Sequence, residues 1–297
     1  MTQMKTRKMI CISLGILCVC CGEISLVADS NPAPVTAILG AFEREVTLIE
    51  DQVSQRRDRK IEGITFVSGK LNGQQVVVTW TGVGKVNAAM TTTLLIEHYK
   101  PKRIVFTGIA GGVNPDLQPG DIVIAEKTAH HDMGTVWPEG LFCRGVRSRL
   151  DGFENPIFFR ADPDLIKLAE HASDRASLES IKTPKGEREP KIMRGVVVTG
   201  DSFIASRDKC AELRKKLEAD AVEMEGAAVA QICFQRQIAC LVIRSISDNA
   251  DEGAVLDKQT FYIMAARNSA SLVAEMVGLL GTKATTKKNA RSEKPRD

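Results

Sequence analysis

Short apolar runs alternate along the chain with stretches of helical spacing. Val35 to Leu39, Gln75 to Trp80, Arg103 to Thr107, Met193 to Thr199 and Ile238 to Ile246 carry little polarity on either face, as strands buried at the centre of a sheet do. Ile64 to Lys70 leads into the second of these through Leu71-Asn-Gly73, and Asn-Gly between apolar runs predicts a hairpin. Gly120 to Ile124 begins a further strand, and Ala219 to Val222 is a short one. Between them the spacing predicts helices over Glu43 to Gln52, Lys85 to His98, Asp208 to Leu217, Glu225 to Arg236 and Thr260 to Leu280. Asp162-Pro-Asp164 opens another that runs to about Ser173, with proline where its fixed φ suits a first turn. Residues 134–160 read as a surface loop able to cover a site, and Thr183 to Pro190 as charged linker. Strands alternating with helices, without an internal repeat, imply one α/β sandwich.

The ends differ from this body. Lys5, Arg7 and Lys8 precede an apolar run from Met9 to Cys21, too short to span a bilayer as a helix. With Ala28 offering a cleavage point, residues 1–28 are expected to be an export signal, which places the chain in the periplasm without stable membrane insertion after cleavage. A lipid anchor through Cys20 or Cys21 is the alternative, although Leu17-Cys-Val-Cys20 is a poor lipidation motif, and an uncleaved anchor comes third. Residues 29–282 form the single domain, and 283–297 a basic, disordered tail. The net charge of +3 resides in these ends, so no basic face argues for nucleic acid. Of eight cysteines, the mature chain keeps Cys143, Cys210, Cys233 and Cys240, with no C-x-x-C spacing to suggest zinc. An oxidising compartment would allow a disulfide among them.

Candidate chemistry sits at the strand ends, where open α/β sheets place their ligands. Ala221-Val-Glu-Met-Glu-Gly226 sets two carboxylates beside a methionine at a strand-to-helix junction, and Arg244-Ser-Ile-Ser-Asp248 ends an apolar strand in an acid. Glu43 and Glu45 fall in a first helical turn, where complementing the helix dipole explains them as well as a site does. Gly108-Ile-Ala-Gly-Gly112 reads as a Gly-rich turn that lets backbone run against a flat ligand, with no Lys or Arg between Phe106 and Gln118. Thr81-Gly-Val-Gly84 opens a helix without the spacing of a phosphate loop. Phe203 suits either stacking on an aromatic ligand or core packing. His130 and His131 point to opposite faces of a strand and make a poor shared metal site.

Six segments in order carry a resemblance: Ile38-Leu-Gly-Ala-Phe-Glu-Arg-Glu-Val-Thr, Gly82-Val-Gly-Lys-Val-Asn-Ala-Ala, Thr107-Gly-Ile-Ala-Gly-Gly, Thr199-Gly-Asp-Ser-Phe-Ile, Val222-Glu-Met-Glu-Gly and Arg244-Ser-Ile-Ser-Asp. Through them the chain resembles the bacterial 5′-methylthioadenosine/S-adenosylhomocysteine nucleosidases of the purine nucleoside phosphorylase superfamily. The resemblance implies a three-layer αβα sandwich around a mixed, mostly parallel central sheet, and a homodimer whose partner helps close the thioalkyl pocket. It implies hydrolysis of the N-glycosidic bond to release adenine, with water as nucleophile and neither metal nor organic cofactor. It makes Asp248 the acid on the adenine ring, held by Ser247 and braced by Arg244, and Glu45 the base on water. Glu225 accepts from the ribose hydroxyls, Met224 packs on the sugar, and Glu223 of the same motif counts among the substrate-binding residues. Phe203 stacks on the purine, the Ile204 backbone reads its edge, and Ala110 and Gly111 line the sugar side.

The residue types fit independently. Breaking an N-glycosidic bond passes through a cation-like sugar, which calls for an acid on the base, a base on the water and a further anion beside the sugar. A phosphorylase would need arginines for phosphate, and the Gly-rich turn offers none, although Arg44 is near. Ile109 stands where many family members carry serine. The alternatives are a related purine nucleosidase acting on futalosine-like substrates, and an exported surface-binding protein whose basic tail meets acidic polysaccharide.

Overall fold

The computed structural model describes residues 33–152, 154–183, 186–251 and 254–292. The expected export signal lies outside them. Eleven strands make one sheet: β1 (Thr36–Gly40), β2 (Ser54–Ile61), β3 (Ile64–Leu71), β4 (Gln74–Trp80), β5 (Arg103–Phe106), β6 (Ile109–Gly112), β7 (Ile122–His130), β8 (Phe158–Arg160), β9 (Ile192–Thr199), β10 (Ala221–Glu223) and β11 (Ala239–Asp248). Their order is β8-β7-β9-β10-β6-β11-β5-β1-β4-β3-β2, and β7 also pairs with β11. The centre is parallel: β4, β1, β5 and β11 run side by side in one direction. Antiparallel pairings join β2, β3 and β4 at one edge and β8 to β7 at the other.

Six helices cover the sheet: α1 (Glu43–Glu50), α2 (Lys85–Tyr99), α3 (Pro163–Ser173), α4 (Arg207–Leu217), α5 (Gly226–Gln235) and α6 (Ala254–Ser292). α2 packs on α5 on one face, while α1 and α3 pack on α6 on the other. The strands feed both layers because successive side chains alternate faces. Ala37 and Leu39 of β1, Ile104 and Phe106 of β5, and Val242 of β11 join Leu95 of α2 and Val229 of α5 in one core. Ile38, Val105, Leu241 and Ile243 point the other way, onto Ile49 of α1 and Leu272 and Val273 of α6. Hence the near-continuous apolar runs: each central strand has two cores to fill. The fold is the expected three-layer αβα sandwich around a mixed sheet.

Five local expectations change. The Gly-rich segment after β5 is a strand, β6, parallel to the end of β11 and antiparallel to β10. The sequence missed β2 because Ser54–Ile61 is polar and exposed almost throughout, as an edge strand with charged positions should be. The 134–160 loop contains a hairpin, Gly134–Trp137 with Gly140–Cys143, and ends in β8. The charged linker also forms a hairpin, Ile181–Thr183 with Gly186–Arg188. At the carboxyl end, α6 continues to Ser292, past residue 282 where the sequence reading starts a disordered tail. Ala, Lys and Arg, frequent there, are good helix formers.

Candidate active site

Strand β6, the carboxyl ends of β10 and β11, and Phe42 just after β1 meet at an open cleft of about 60 Å³. Its wall includes Phe42, Val83, Ile109, Phe203, Met224 and Glu225, with Ser247 and Asp248 alongside. A larger cavity of about 960 Å³, lined in part by Asn114, Arg188 and Arg214, contains none of the site carboxylates. Chemistry rather than size therefore picks out the cleft.

Glu45 is at the third position of α1 and is 2 % exposed. Its Oε2 accepts the amides of Ala41 at 2.6 Å and Phe42 at 3.0 Å, the reach-back of a capping glutamate. Its Oε1 accepts the Ile109 amide at 3.0 Å, so one side chain both caps α1 and ties it to β6 at the Phe42–Ile109 edge of the cleft. The carboxyl fits because residue 108 is glycine: a Cβ there would fall 2.6 Å from Oε1. Burial pushes its pKa up, and Arg244 and the three amides oppose that only in part.

Asp248, 1 % exposed, ends β11. Its Oδ2 lies 2.7 Å from the Ser247 hydroxyl and its Oδ1 accepts the Ala250 amide at 2.9 Å. A glycine makes room here too, since a Cβ on Gly111 would come within 2.9 Å of Oδ1. Ser247 is also 3.3 Å from the Ala110 carbonyl, which locks β11 to β6 beside the acid.

Glu225 precedes α5 and accepts the Gly84 amide at 2.8 Å. Burial, then the charge of Glu223, raises its pKa to about 8. Glu223 is different. It accepts from the Thr199 hydroxyl, from the amides of Glu225 at 3.1 Å and Gly226 at 2.7 Å, and from Arg244 Nη2 at 2.7 Å. Although it borders the cleft, its carboxylate is occupied by protein donors, so the structure gives it a supporting place rather than the substrate-binding one expected.

Arg244 also needs correction. The resemblance has it brace Asp248, yet its guanidinium pairs with Glu223, donates to the carbonyls of Phe106 and Ile243, and lies 4.1 Å from the centre of the Phe106 ring. Four residues of strand span about 13 Å, and the side chain turns across to β10 instead of running along β11. Phe203 does not pack in the core: its ring is 44 % exposed where it borders the cleft. Met224, Ala110 and Gly111 border the cleft. The Ile204 side chain packs against the apolar cluster of Val198 and Val222. His130 bonds to Gln231 at 3.0 Å, and His131 is buried after it. Sequence reading missed Thr199, which donates to Glu223 and accepts the Ala227 amide. A hydroxyl at the end of an otherwise apolar strand was the available signal.

Comparisons with known proteins show the family. A profile of the phosphorylase superfamily matches residues 35–278. The chain is 35% identical over 242 residues to a 5′-methylthioadenosine/S-adenosylhomocysteine nucleosidase of Bacillus thuringiensis, covering 81% of this chain and 97% of that one. It is similar to the crystal structure of the Neisseria meningitidis 5′-methylthioadenosine/S-adenosylhomocysteine nucleosidase in complex with methylthio-immucillin-A, with TM-score 0.70 and 33% identity over 82% of this chain and 98% of that one. A futalosine hydrolase of Helicobacter pylori also resembles it, with TM-score 0.70 and 28% identity over 82% of this chain and 97% of that one. The chain belongs to the phosphorylase superfamily, within its 5′-methylthioadenosine/S-adenosylhomocysteine nucleosidase family.

Proposed function

We propose that the protein hydrolyses the N-glycosidic bond of 5′-methylthioadenosine and S-adenosylhomocysteine, releasing adenine. The observation that carries this is that Glu225 and Asp248, distant in sequence, line one cleft with no cationic side chain among its described lining residues, while Glu45 is buried just behind it, held by the amides of Phe42 and Ile109 at its edge. In this reading Asp248 gives a proton to N7 of the adenine, so the electron pair of the breaking C1′–N9 bond is accepted by a neutral leaving base. Water attacks C1′ and loses a proton to Glu45, which burial makes a stronger base than an ordinary carboxylate. Glu225 holds the ribose hydroxyls, and its ionised form, which a cation-like sugar favours, sets negative charge beside the reacting carbon. Phe203 stacks on the purine and Met224 packs on the sugar.

Arg244 is paired with Glu223, and no Lys or Arg is among the described residues lining the cleft to hold phosphate, which favours water as the nucleophile. Assay of adenine release from 5′-methylthioadenosine, S-adenosylhomocysteine, futalosine and inosine tests the reading. Dependence on phosphate with ribose-1-phosphate as product would refute hydrolysis, and a preference for futalosine would move the substrate to the sister activity.

The protein further acts as an exported homodimer. Val86 and Met90 on α2, with Val136, Trp137 and Phe142 on the 134–143 hairpin, are exposed apolar side chains, as an interface requires. Light scattering that finds a monomer, or fractionation that finds the chain in the cytoplasm, would remove the respective part.

A further inference from the structure

The first turn of α2 is satisfied from elsewhere in the chain. Its N-cap is Gly84, at φ 92°, which has no side chain to cap with, yet the first amides of a helix need acceptors. The Gly84 amide donates to Glu225 Oε1 and the Lys85 amide to Asp201 Oδ1, each at 2.8 Å. One acceptor is therefore a site carboxylate. The other lies two residues before Phe203, on the same loop.

Lys85 is poorly placed for the helix alone, because a cation in the first turn opposes the macrodipole. What holds it are two carboxylates. Its Nζ lies 2.7 Å from Asp132 Oδ1 and 3.6 Å from Asp201 Oδ2. The Asp201 amide in turn donates to Asp132 Oδ2 at 2.9 Å. Asp132 follows β7, and there the loop bearing Phe203 is fitted closely: a Cβ on Gly200 would fall 2.3 Å from the His131 ring. Three segments, the 82–85 turn, the end of β7 and the 200–204 loop, are thus tied through one lysine and two aspartates.

We propose that Lys85, Asp132 and Asp201 form a latch that fixes Phe203 over the nucleobase at a set position relative to Glu225. This makes Lys85 and Asp201 positioning residues, and it rests on the nucleosidase reading above. Magnitudes set what the latch does. Its side chains are partly exposed, and exposed ion pairs contribute little to stability. Stacking of a base on an aromatic ring, by contrast, depends on where the ring is held. Loosening the loop should therefore weaken substrate binding while leaving the carboxylates that act on C1′ and N7 in place.

The test compares wild type with Asp201→Ala, Lys85→Met and Asp201→Asn. Asp201→Ala and Lys85→Met should raise KM, and the Kd for adenine measured by calorimetry, about tenfold, the range expected for lost base stacking. They should lower kcat by no more than roughly threefold, the pattern of lost uniform binding. Asp201→Asn keeps an acceptor for the Lys85 amide and should recover part of the affinity. Amide exchange over residues 84–87 and 200–204 should quicken in Asp201→Ala while the melting temperature holds. Unchanged KM and adenine affinity would overturn the proposal, whether or not exchange quickens. An equal loss of kcat with a collapsed melting temperature would overturn it too, as a plain folding defect. If the wild-type protein releases no base from any nucleoside, the nucleosidase reading fails. The exchange measurement then still judges the tie on its own, and unaltered exchange at 200–204 removes it.

Discussion

Glu223 and Glu225 are separated by one methionine and face opposite tasks. Both are nearly buried. An ionised carboxylate offers about four acceptor positions. Glu223 fills its own with Thr199, two amides and Arg244. Glu225 takes one amide, from Gly84, and its pKa is driven up to about 8. The same residue type at the same junction thus serves once as a strut for a buried arginine and once as a group with acceptor capacity left for a ligand. Burial does not mark a functional carboxylate here. Between these two, unused hydrogen-bonding capacity beside the cleft makes the difference.

The strongest way to break this contrast is to neutralise the groups assigned to chemistry. Asp248→Asn and Glu45→Gln should each lower kcat about 10²–10⁴-fold, the usual size of a proton-transfer contribution, with unchanged melting for Asp248→Asn and some loss for Glu45→Gln, whose amide nitrogen would face a backbone N–H. Glu223→Gln should show the reverse emphasis. It leaves Arg244, 1 % exposed, without its counter-charge. Breaking a buried pair on one side costs about 3–5 kcal/mol, so Tm should fall on the order of 10 °C for a domain of this size. Thermal denaturation checks it. A Glu223→Gln protein as stable as wild type but without turnover would reverse the two assignments.

The sequence disclosed the alternation of strands and helices, because central strands with two cores to fill leave long apolar runs. It also disclosed the site motifs, which carry side chains with few other uses at a strand end. What it withheld were features set by non-local neighbours. Nothing in Ser54–Ile61 marks a strand, since among the described strands it pairs with β3 alone and its side chains up to Lys60 face solvent. Gly108-Ile-Ala-Gly-Gly112 looked like a turn because its glycines were read for backbone freedom. Two of them instead leave the space that Glu45 and Asp248 occupy. Arg244 could not be assigned to Glu223 rather than Asp248 until β10 and β11 were placed on either side of β6.

A titration sharpens the contrast with a smaller effect. Glu225 keeps its proton to about pH 8 in the folded chain, well above the usual carboxylate range it has when unfolded. Between those values the folded state binds more protons, so stability falls as pH rises. The contribution is full at low pH, is lost progressively toward pH 8 and changes no further above it. Glu45, also raised by burial, adds to the same slope. Glu225→Gln should flatten the decline measured by urea unfolding across this window. A slope that survives unchanged would mean that Glu225 ionises normally and that its difference from Glu223 is overstated.

Ser247 gives the smallest and most discriminating change. Its hydroxyl stands between Asp248 Oδ2 at 2.7 Å and the Ala110 carbonyl at 3.3 Å, but it has one proton to give. While Asp248 is ionised, that proton serves the carboxylate. Once Asp248 carries a proton on Oδ2, it can donate to the serine oxygen and the serine can turn to Ala110. The hydroxyl thus accompanies the acid in both states and favours neither strongly. The Ala250 amide and the end of β11 still orient Asp248 without it. Ser247→Ala should therefore lower kcat only about tenfold or less, the size of one hydrogen bond, with KM unaltered. A loss as large as that of Asp248→Asn would make the serine part of the proton-transfer unit. The number of donors around a carboxylate would then no longer separate scaffold from chemistry, because a residue with no charge of its own would carry as much of the reaction as the acid beside it.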